Sequence, residues 1–395
     1  MILPLVLGCL LLQGPVGTPL TDPNAAPALT QKQKEEEKRH QETLAKDVEL
    51  GKKIAEQVEK EEKVSTNEEY QSRIRRIGAE MAAIANVTPV KVLWGDKRLN
   101  KYEYHFTVLQ SKEDNVNAFS LPGGYIYVYE GLIKFAQSDD EIAGVLAHEI
   151  SHAAFRHIDA LAREQSKLST ATLPLILGAI LTGRADIIGG AILGSQLVTQ
   201  SFTSTWSVKA EKSADFGGFQ YLLKSKYNPT GMLTFMERLA QEERTNPAAS
   251  IDWGIYRTHP PGRERAEALT HDMEEAKIPI QRSLVTTSYR VVVKPSSTEG
   301  VDIIFDDRKL FTFGGTDALA RADAAVKSLN TFFDKVPSML EVSFDGTSVI
   351  GRRDTLITVT KDDAALANKS VEDTGKAAVE AIRGSLYSIA FHIWQ

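Results

Sequence analysis

Apolar and polar positions along this chain fall into blocks of different period. Residues 31–63 are dense in Lys, Glu and Gln, and only Leu44, Val48, Ile54 and Val58 draw a thin apolar stripe at helical spacing. The pattern predicts a solvated helix packed by one edge. Residues 67–85 give a fuller amphipathic helix with Ile74, Ile77, Met81 and Ile84 on one side. β-Branched and aromatic runs predict strands at 90–94, 104–110 and 125–129, the last reached through Gly123-Gly124. Asp139-Asp140-Glu141 then opens a helix expected to run to about Asp159, acidic at its start as the helix dipole prefers. Another helix begins near Ser207. Between them, 171–182 and 187–198 are apolar and contain glycine, yet each is shorter than the roughly 18 residues that a membrane span needs. A buried or membrane-facing helical hairpin is expected there.

From about residue 285 the character changes. Strand-like runs at 288–293, 301–305, 310–313, 340–344 and 355–359 are interleaved with helix-like runs at 318–333 and 371–390. The expected fold class is α+β: a mainly helical body with a small sheet, followed by a C-terminal α/β unit. No internal repeat, Walker loop or dinucleotide fingerprint is found.

Composition narrows the function classes. The 395 residues are 42% hydrophobic and 25% charged, enough for buried cores and against global disorder. A net charge of -6 gives no reason to expect a nucleic-acid partner. The one cysteine, Cys9, excludes a disulfide framework and a thiolate metal site in the body. It lies in an apolar run, 2–12, of signal-peptide length, with small residues at 14–18 but no Lys or Arg before the run. An exported, periplasmic or envelope-associated chain is expected. Val6-Leu7-Gly8-Cys9 also fits a lipoprotein box, so lipid anchoring at Cys9 is the alternative.

The chemistry centres on His148-Glu149-Ile150-Ser151-His152. Two histidines four residues apart on a helix lie one turn apart and about 40° around its axis, so their rings converge on one ion. Zinc takes neutral nitrogen and anionic oxygen donors and keeps one position open for catalysis. Glu149 projects beside them as a candidate general base. A third ligand is required, and Glu211 is the best candidate. Asp215, one turn further along the same helical face, can accept a hydrogen bond from a ligand histidine and fix its tautomer.

These residues stand in an ordered set: Asn117-Ala118-Phe119, Leu121-Pro122-Gly123-Gly124, Asp140-Glu141-Ile142-Ala143, the HEISH segment with Arg156-His157, Glu211 with Asp215, and Thr258-His259-Pro260-Pro261 with Arg265. From about residue 45 to 270 the chain resembles the HtpX- and CAAX-prenyl-protease-like zinc metallopeptidases, most closely their soluble periplasmic BepA/LoiP-like branch. The resemblance implies a zincin-type metallopeptidase domain and endoproteolysis of polypeptides. It also implies one zinc ion (Zn2+) per chain, held by His148, His152 and Glu211. It places the loop of Thr258-His259-Pro260-Pro261 near the metal, so His259 is expected either to close the resting site or to stabilise an oxyanion, the alternative being a loop histidine bonded to backbone, and Arg265 is expected to pin the loop through an acidic partner. Two features depart from the pattern. Family members that cleave within membranes carry clear spans, and Lys212-Ser213 follows Glu211 where many relatives have a more apolar or acidic pair.

The expected layout is a signal peptide at 1–18, a linker and charged helix at 19–66, the metallopeptidase domain at 67–280 and an accessory domain at 285–395. The strand at 125–129 is read either as an internal strand or as a sheet edge to which an extended substrate adds, with Asn117, Gly123, Gly124 and Tyr125 lining its path. The expected partners are polypeptide substrates, with membrane-surface or envelope-protein association. The expected function is cleavage of unfolded or misassembled exported proteins. The alternative is a chaperone or assembly factor that uses the same groove.

Overall fold

In the computed structural model the described residues are 30–111, 115–164, 205–245, 263–296 and 299–394. The expected leader with Cys9, the apolar stretch at 171–200 and His259 lie outside them. The chain divides into a small unit, residues 1–43, and a large one, residues 44–395. The described part of the small unit is the charged start of helix α1 (Gln31–Glu61), exposed and carrying Lys32–Glu36 and Arg39–Glu35 pairs at 4.0 Å. Such exposed pairs contribute little. Among the described residues, no helix is long and apolar enough to cross a membrane.

The large unit begins with a three-stranded sheet, β1 (His105–Leu109), β2 (Ala118–Leu121) and β3 (Tyr125–Tyr129), in the order β1-β3-β2. β1 runs parallel to β3 and β2 antiparallel to it. The period-two alternation sorts the side chains into two cores. Phe106, Val108, Ala118, Ile126 and Val128 face helices α2 (Glu68–Ala85) and α4 (Asp139–Ala154). Leu109, Phe119, Leu121, Tyr127 and Tyr129 face Ile54 and Val58 of α1. The sheet is therefore covered on both sides. Leu44, Ile54 and Val58 of the apolar stripe are buried, whereas Val48 is 39% exposed. A Cβ at Gly51 would fall 1.8 Å from the Pro122 carbonyl oxygen, so the backbone of α1, not the Val48 side chain, rests on the turn between β2 and β3.

Of the two readings of the 125–129 strand the internal one holds, and the strand expected at 90–94 is absent. β3 is the middle strand with both edges taken, so it cannot accept a substrate strand. Residues 90–94 form no strand, because side chains satisfy the backbone instead: the Trp94 N–H donates to Ser213 Oγ (3.1 Å), and its carbonyl accepts from Ser213 Oγ (2.9 Å).

Helix α4 starts where the sequence placed it. Ser138 Oγ accepts from the Glu141 N–H, and the buried Glu141 carboxylate accepts from the Gln137 N–H (2.7 Å), Thr234 Oγ1 (2.9 Å) and Arg238 (2.7 Å). It ends earlier than expected. Arg156 adopts a left-handed φ of 52°, and α5 (His157–Glu164) sets off in a new direction. The Arg156 guanidinium is held by Asp47 (2.5 and 3.0 Å) and Asp96 (3.3 Å), both distant in sequence. Around α4 pack α6 (Thr205–Leu222) and α7 (Thr230–Thr245), with α8 (Arg263–Glu275) across them; α3 (Glu130–Phe135) extends β3, and α9 (Arg282–Val285) leads to the C-terminal part.

That C-terminal part holds a duplication the sequence did not reveal. β4 (Val291–Pro295), β5 (Val301–Phe305) and β6 (Arg308–Phe313) form an antiparallel sheet followed by α10 (Ala318–Phe333). β7 (Val342–Phe344), β8 (Ser348–Gly351) and β9 (Asp354–Thr358) form a second one, followed by the short α11 (Lys361–Leu366) and by α12 (Val371–Trp394). The register shifts at Ile303/Ile304 in the first and at Val349/Ile350 in the second. Each hairpin turns through a left-handed residue, Asp306 or Arg352, at the same offset of 46 positions (303 to 349, 306 to 352). Both copies feed one core.

The join between the N-terminal body and the C-terminal part is polar and buried. Arg282 pairs with Glu237 (2.6 Å) and donates to the Asp334 carbonyl (3.1 Å). Ser283 donates to the Asp334 carboxylate, and Gln137 Oε1 accepts from the Thr287 (2.7 Å) and Ser288 (3.0 Å) N–H groups. A chain cut after residue 280 loses Arg282 and leaves Glu237 with a buried, uncompensated charge, at a cost of about 3–5 kcal/mol. It should melt about 6–15 °C below a chain cut after residue 288, which keeps the pair. Equal melting temperatures in a thermal scan would remove Arg282 from the N-terminal body.

Candidate metal centre

Small residues decide how close the helices come. On α6 a Cβ at Gly217 would meet the Phe155 ring at 2.5 Å, and one at Gly218 would lie 3.1 Å from the His148 backbone nitrogen. On α4 a Cβ at Gly144 would lie 2.6 Å from the Met232 backbone of α7. A Cβ would force a shift at Gly144 and Gly217 and crowd the backbone at Gly218, and the two glycines of α6 bring Glu211 and Asp215 against the histidines of α4.

His148 Nε2 and His152 Nε2 lie 3.0 Å apart, and each faces the Glu211 carboxylate, at 3.4 and 3.3 Å. One donor atom from each of the three lies within 4.8 Å of the others. Glu149, 1% exposed, follows His148 on α4. Asp215 accepts from His148 Nδ1 (2.8 Å), the contact expected of it. Arg265 is bidentate on Asp215 (2.7 Å twice) and also reaches Glu211 (3.1 Å). Its acidic partners are thus the carboxylates of the site itself.

This donor set fits a divalent cation. Its donors are two imidazole nitrogens and a carboxylate oxygen, the kinds of atom that zinc takes. Burial disfavours the charged His148 ring, but Asp215 and Glu211 outweigh it and raise its pKa to about 9. Burial also works against the Asp215 carboxylate, and Arg265 and His148 prevail, holding it at about 2. A metal must displace the His148 proton, so affinity for it falls as pH drops below about 9.

His157 stands in the motif with no role that the sequence predicts, and the structure brings it to the site. Its Nδ1 lies 2.9 Å from His152 Nδ1 and its Nε2 lies 3.0 Å from the Trp94 carbonyl. Burial, followed by the neighbouring His152, holds its pKa well below the usual value, so the ring is neutral. On an unbroken helix His157 would point about 140° away from His152; the break at Arg156 turns it back. The residues read as lining a substrate path are not gathered here in that capacity. Gly123 and Gly124 take φ of 77° and 92° in a buried turn, against Val48 and the Glu103 backbone. Asn117 is 2% exposed, and its carbonyl accepts from the Tyr129 N–H. Tyr125 stacks on His105 with ring centroids 4.9 Å apart.

Fold and site together place an HExxH helix, buried between partner helices, against a carboxylate of α6. A family model described as Peptidase family M48 matches residues 69–273, and the chain belongs to that family. Similar proteins include the beta-barrel assembly-enhancing protease of Escherichia coli strain K12, 28% identical over 198 residues that make up 50% of this chain and 37% of that protein. The metalloprotease LoiP of the same strain is 26% identical over 212 residues, 52% of this chain and 72% of LoiP. The mitochondrial metalloendopeptidase OMA1 of Saccharomyces cerevisiae is 27% identical over 177 residues, 45% of this chain and 48% of OMA1. The chain thus spans well under half the length of the assembly-enhancing protease that it matches. Residues 302–388 match a model described as a domain of unknown function (DUF8459).

Proposed function

We propose that this chain is a zinc-dependent endopeptidase that cleaves unfolded or misassembled exported polypeptides. The observation that carries the reading is the convergence of His148, His152 and Glu211 beside the buried Glu149. Those three residues would hold one zinc ion. When bound, zinc polarises the scissile carbonyl and makes water a better nucleophile. Glu149 takes the proton of the attacking water and returns it to the leaving amine. Asp215 holds His148, and Arg265 holds both Asp215 and Glu211 in place.

An extended substrate adds to β2, the outer strand beside α4, through main-chain hydrogen bonds. Such binding tolerates many sequences, which suits unfolded clients. Export rests on the apolar run at 2–12. The proposed domains are 67–280 and 285–395, with the buried Arg282–Glu237 pair between them. A second reading, an assembly factor whose cleavage is secondary, draws support from the name of the assembly-enhancing protease.

The test is cleavage of reduced, unfolded casein with and without a chelator, followed by zinc restoration. Chelator-sensitive cleavage that zinc restores is expected. Cleavage indifferent to the chelator sinks the metallopeptidase reading. No cleavage by the zinc-loaded chain, with suppressed client aggregation, favours the assembly reading instead.

A further inference from the structure

We infer that His157 is a positioning residue that fixes the tautomer of His152 through a relay anchored on the Trp94 carbonyl. A carbonyl oxygen only accepts, so His157 Nε2, 3.0 Å away, carries the hydrogen. The His157 ring is 4% exposed and enclosed by the rings of Trp94, His152 and Phe155, with centroids at 5.3, 4.8 and 5.7 Å. No carboxylate bonds to it among its described contacts, and a neutral imidazole has one N–H, so Nδ1 is an acceptor. Its partner at 2.9 Å, His152 Nδ1, must then donate. The lone pair of His152 is left on Nε2, the atom that faces Glu211 and His148.

Two further features serve this relay. Ser213, fully buried, donates to the Trp94 carbonyl and accepts from the Trp94 N–H, so the carbonyl is held by the helix that also carries Glu211. This gives a structural use to one of the two residues that depart from the family pattern. Gly95, at φ 110°, lies where a Cβ would come 2.4 Å from the Phe155 carbonyl and 2.9 Å from the His157 ring. Only glycine lets the loop close on His157. The two ligand histidines are therefore oriented by different means: an anion, Asp215, for His148, and a neutral ring for His152. The second device aims the lone pair without adding another negative charge to the site.

The inference rests on the zinc-ligand reading, and the experiment separates the two. The first readout is the 15N shifts of His152 in the metal-free parent at pH 8, which need no metal. The Nδ1–H tautomer is expected, and an Nε2–H tautomer overturns the relay. The second readout is zinc affinity, measured by competition with a chromophoric chelator, in His157→Phe and His157→Gln. Phenylalanine keeps ring volume but neither bond, whereas glutamine keeps a donor and an acceptor flanking one carbon, as imidazole does. His157→Phe should bind zinc about 10- to 100-fold more weakly, with His157→Gln within about threefold of the parent. Affinity within twofold of the parent in a folded Phe variant overturns the relay, as does equal weakening in both variants. A parent that binds no zinc overturns the ligand reading, whatever tautomer His152 shows.

Discussion

Glu149→Gln keeps its zinc and loses peptide hydrolysis by about 10²–10⁴-fold, the range expected when a general base is removed. The two side chains are nearly isosteric, which matters on this helix. Glu149 is 1% exposed, and α4 is hemmed in by glycine-mediated approaches to α6 and α7, so a change in size would move the ligands themselves. The amide leaves His148, His152 and Glu211 untouched but cannot accept the proton of the attacking water. Metal content by mass spectrometry and turnover on an unfolded substrate check the two halves separately. Parent-like turnover in a zinc-loaded Gln variant would take Glu149 out of the mechanism.

Arg265→Met should be the most destabilising substitution in the site. Arg265 compensates Asp215 and Glu211 together; both carboxylates are buried and the guanidinium is largely so. Removing one partner of a buried ionic cluster costs about 3–5 kcal/mol. A melting temperature lower by about 4–6 °C follows for the metal-free chain. Zinc should return part of that loss, because a cation at Glu211 and His148 replaces some of the missing charge. The gain in melting temperature on adding zinc is therefore larger in the variant than in the parent.

Acid provides an independent check of sign. Asp215 is depressed in the folded parent, so the stability it contributes is present above the ordinary carboxylate range and is lost as pH falls to about 2. Arg265→Met forfeits this contribution near neutrality, and the difference between the two chains should shrink on acidification. A variant that melts within a degree or two of the parent at pH 7 would mean that the carboxylates find compensation elsewhere.

The parts of this site that could be read from the sequence are those fixed by local geometry. His148 with His152 and Glu211 with Asp215 are both one-turn pairs, and the helix that carries each pair determines its face. α10 matches its predicted span, 318–333, for the same reason. The rest depends on residues far apart. His157 reaches the site because Asp47 and Asp96 hold Arg156 in a left-handed turn, and nothing between 152 and 157 announces that break. β3 is central, not an edge, because strand order depends on pairing between segments. The run at 90–94 has strand-like residues, but Ser213 takes its backbone groups before any strand can. The duplication stayed hidden because aligned positions keep character more often than identity: Leu310 and Leu356 match, whereas Phe311 stands against Ile357 and Phe313 against Val359.

The C-terminal unit amounts to a symmetric dimer written into one polypeptide. α10 of the first copy packs on its own β4 and β5 and also on β9 of the second, and α12 of the second packs on its own β7 and also on β6 of the first, so the two copies share one core. A chain shortened between α10 and β7 would keep α10 on its own sheet but bare the face of β6 that α12 covers.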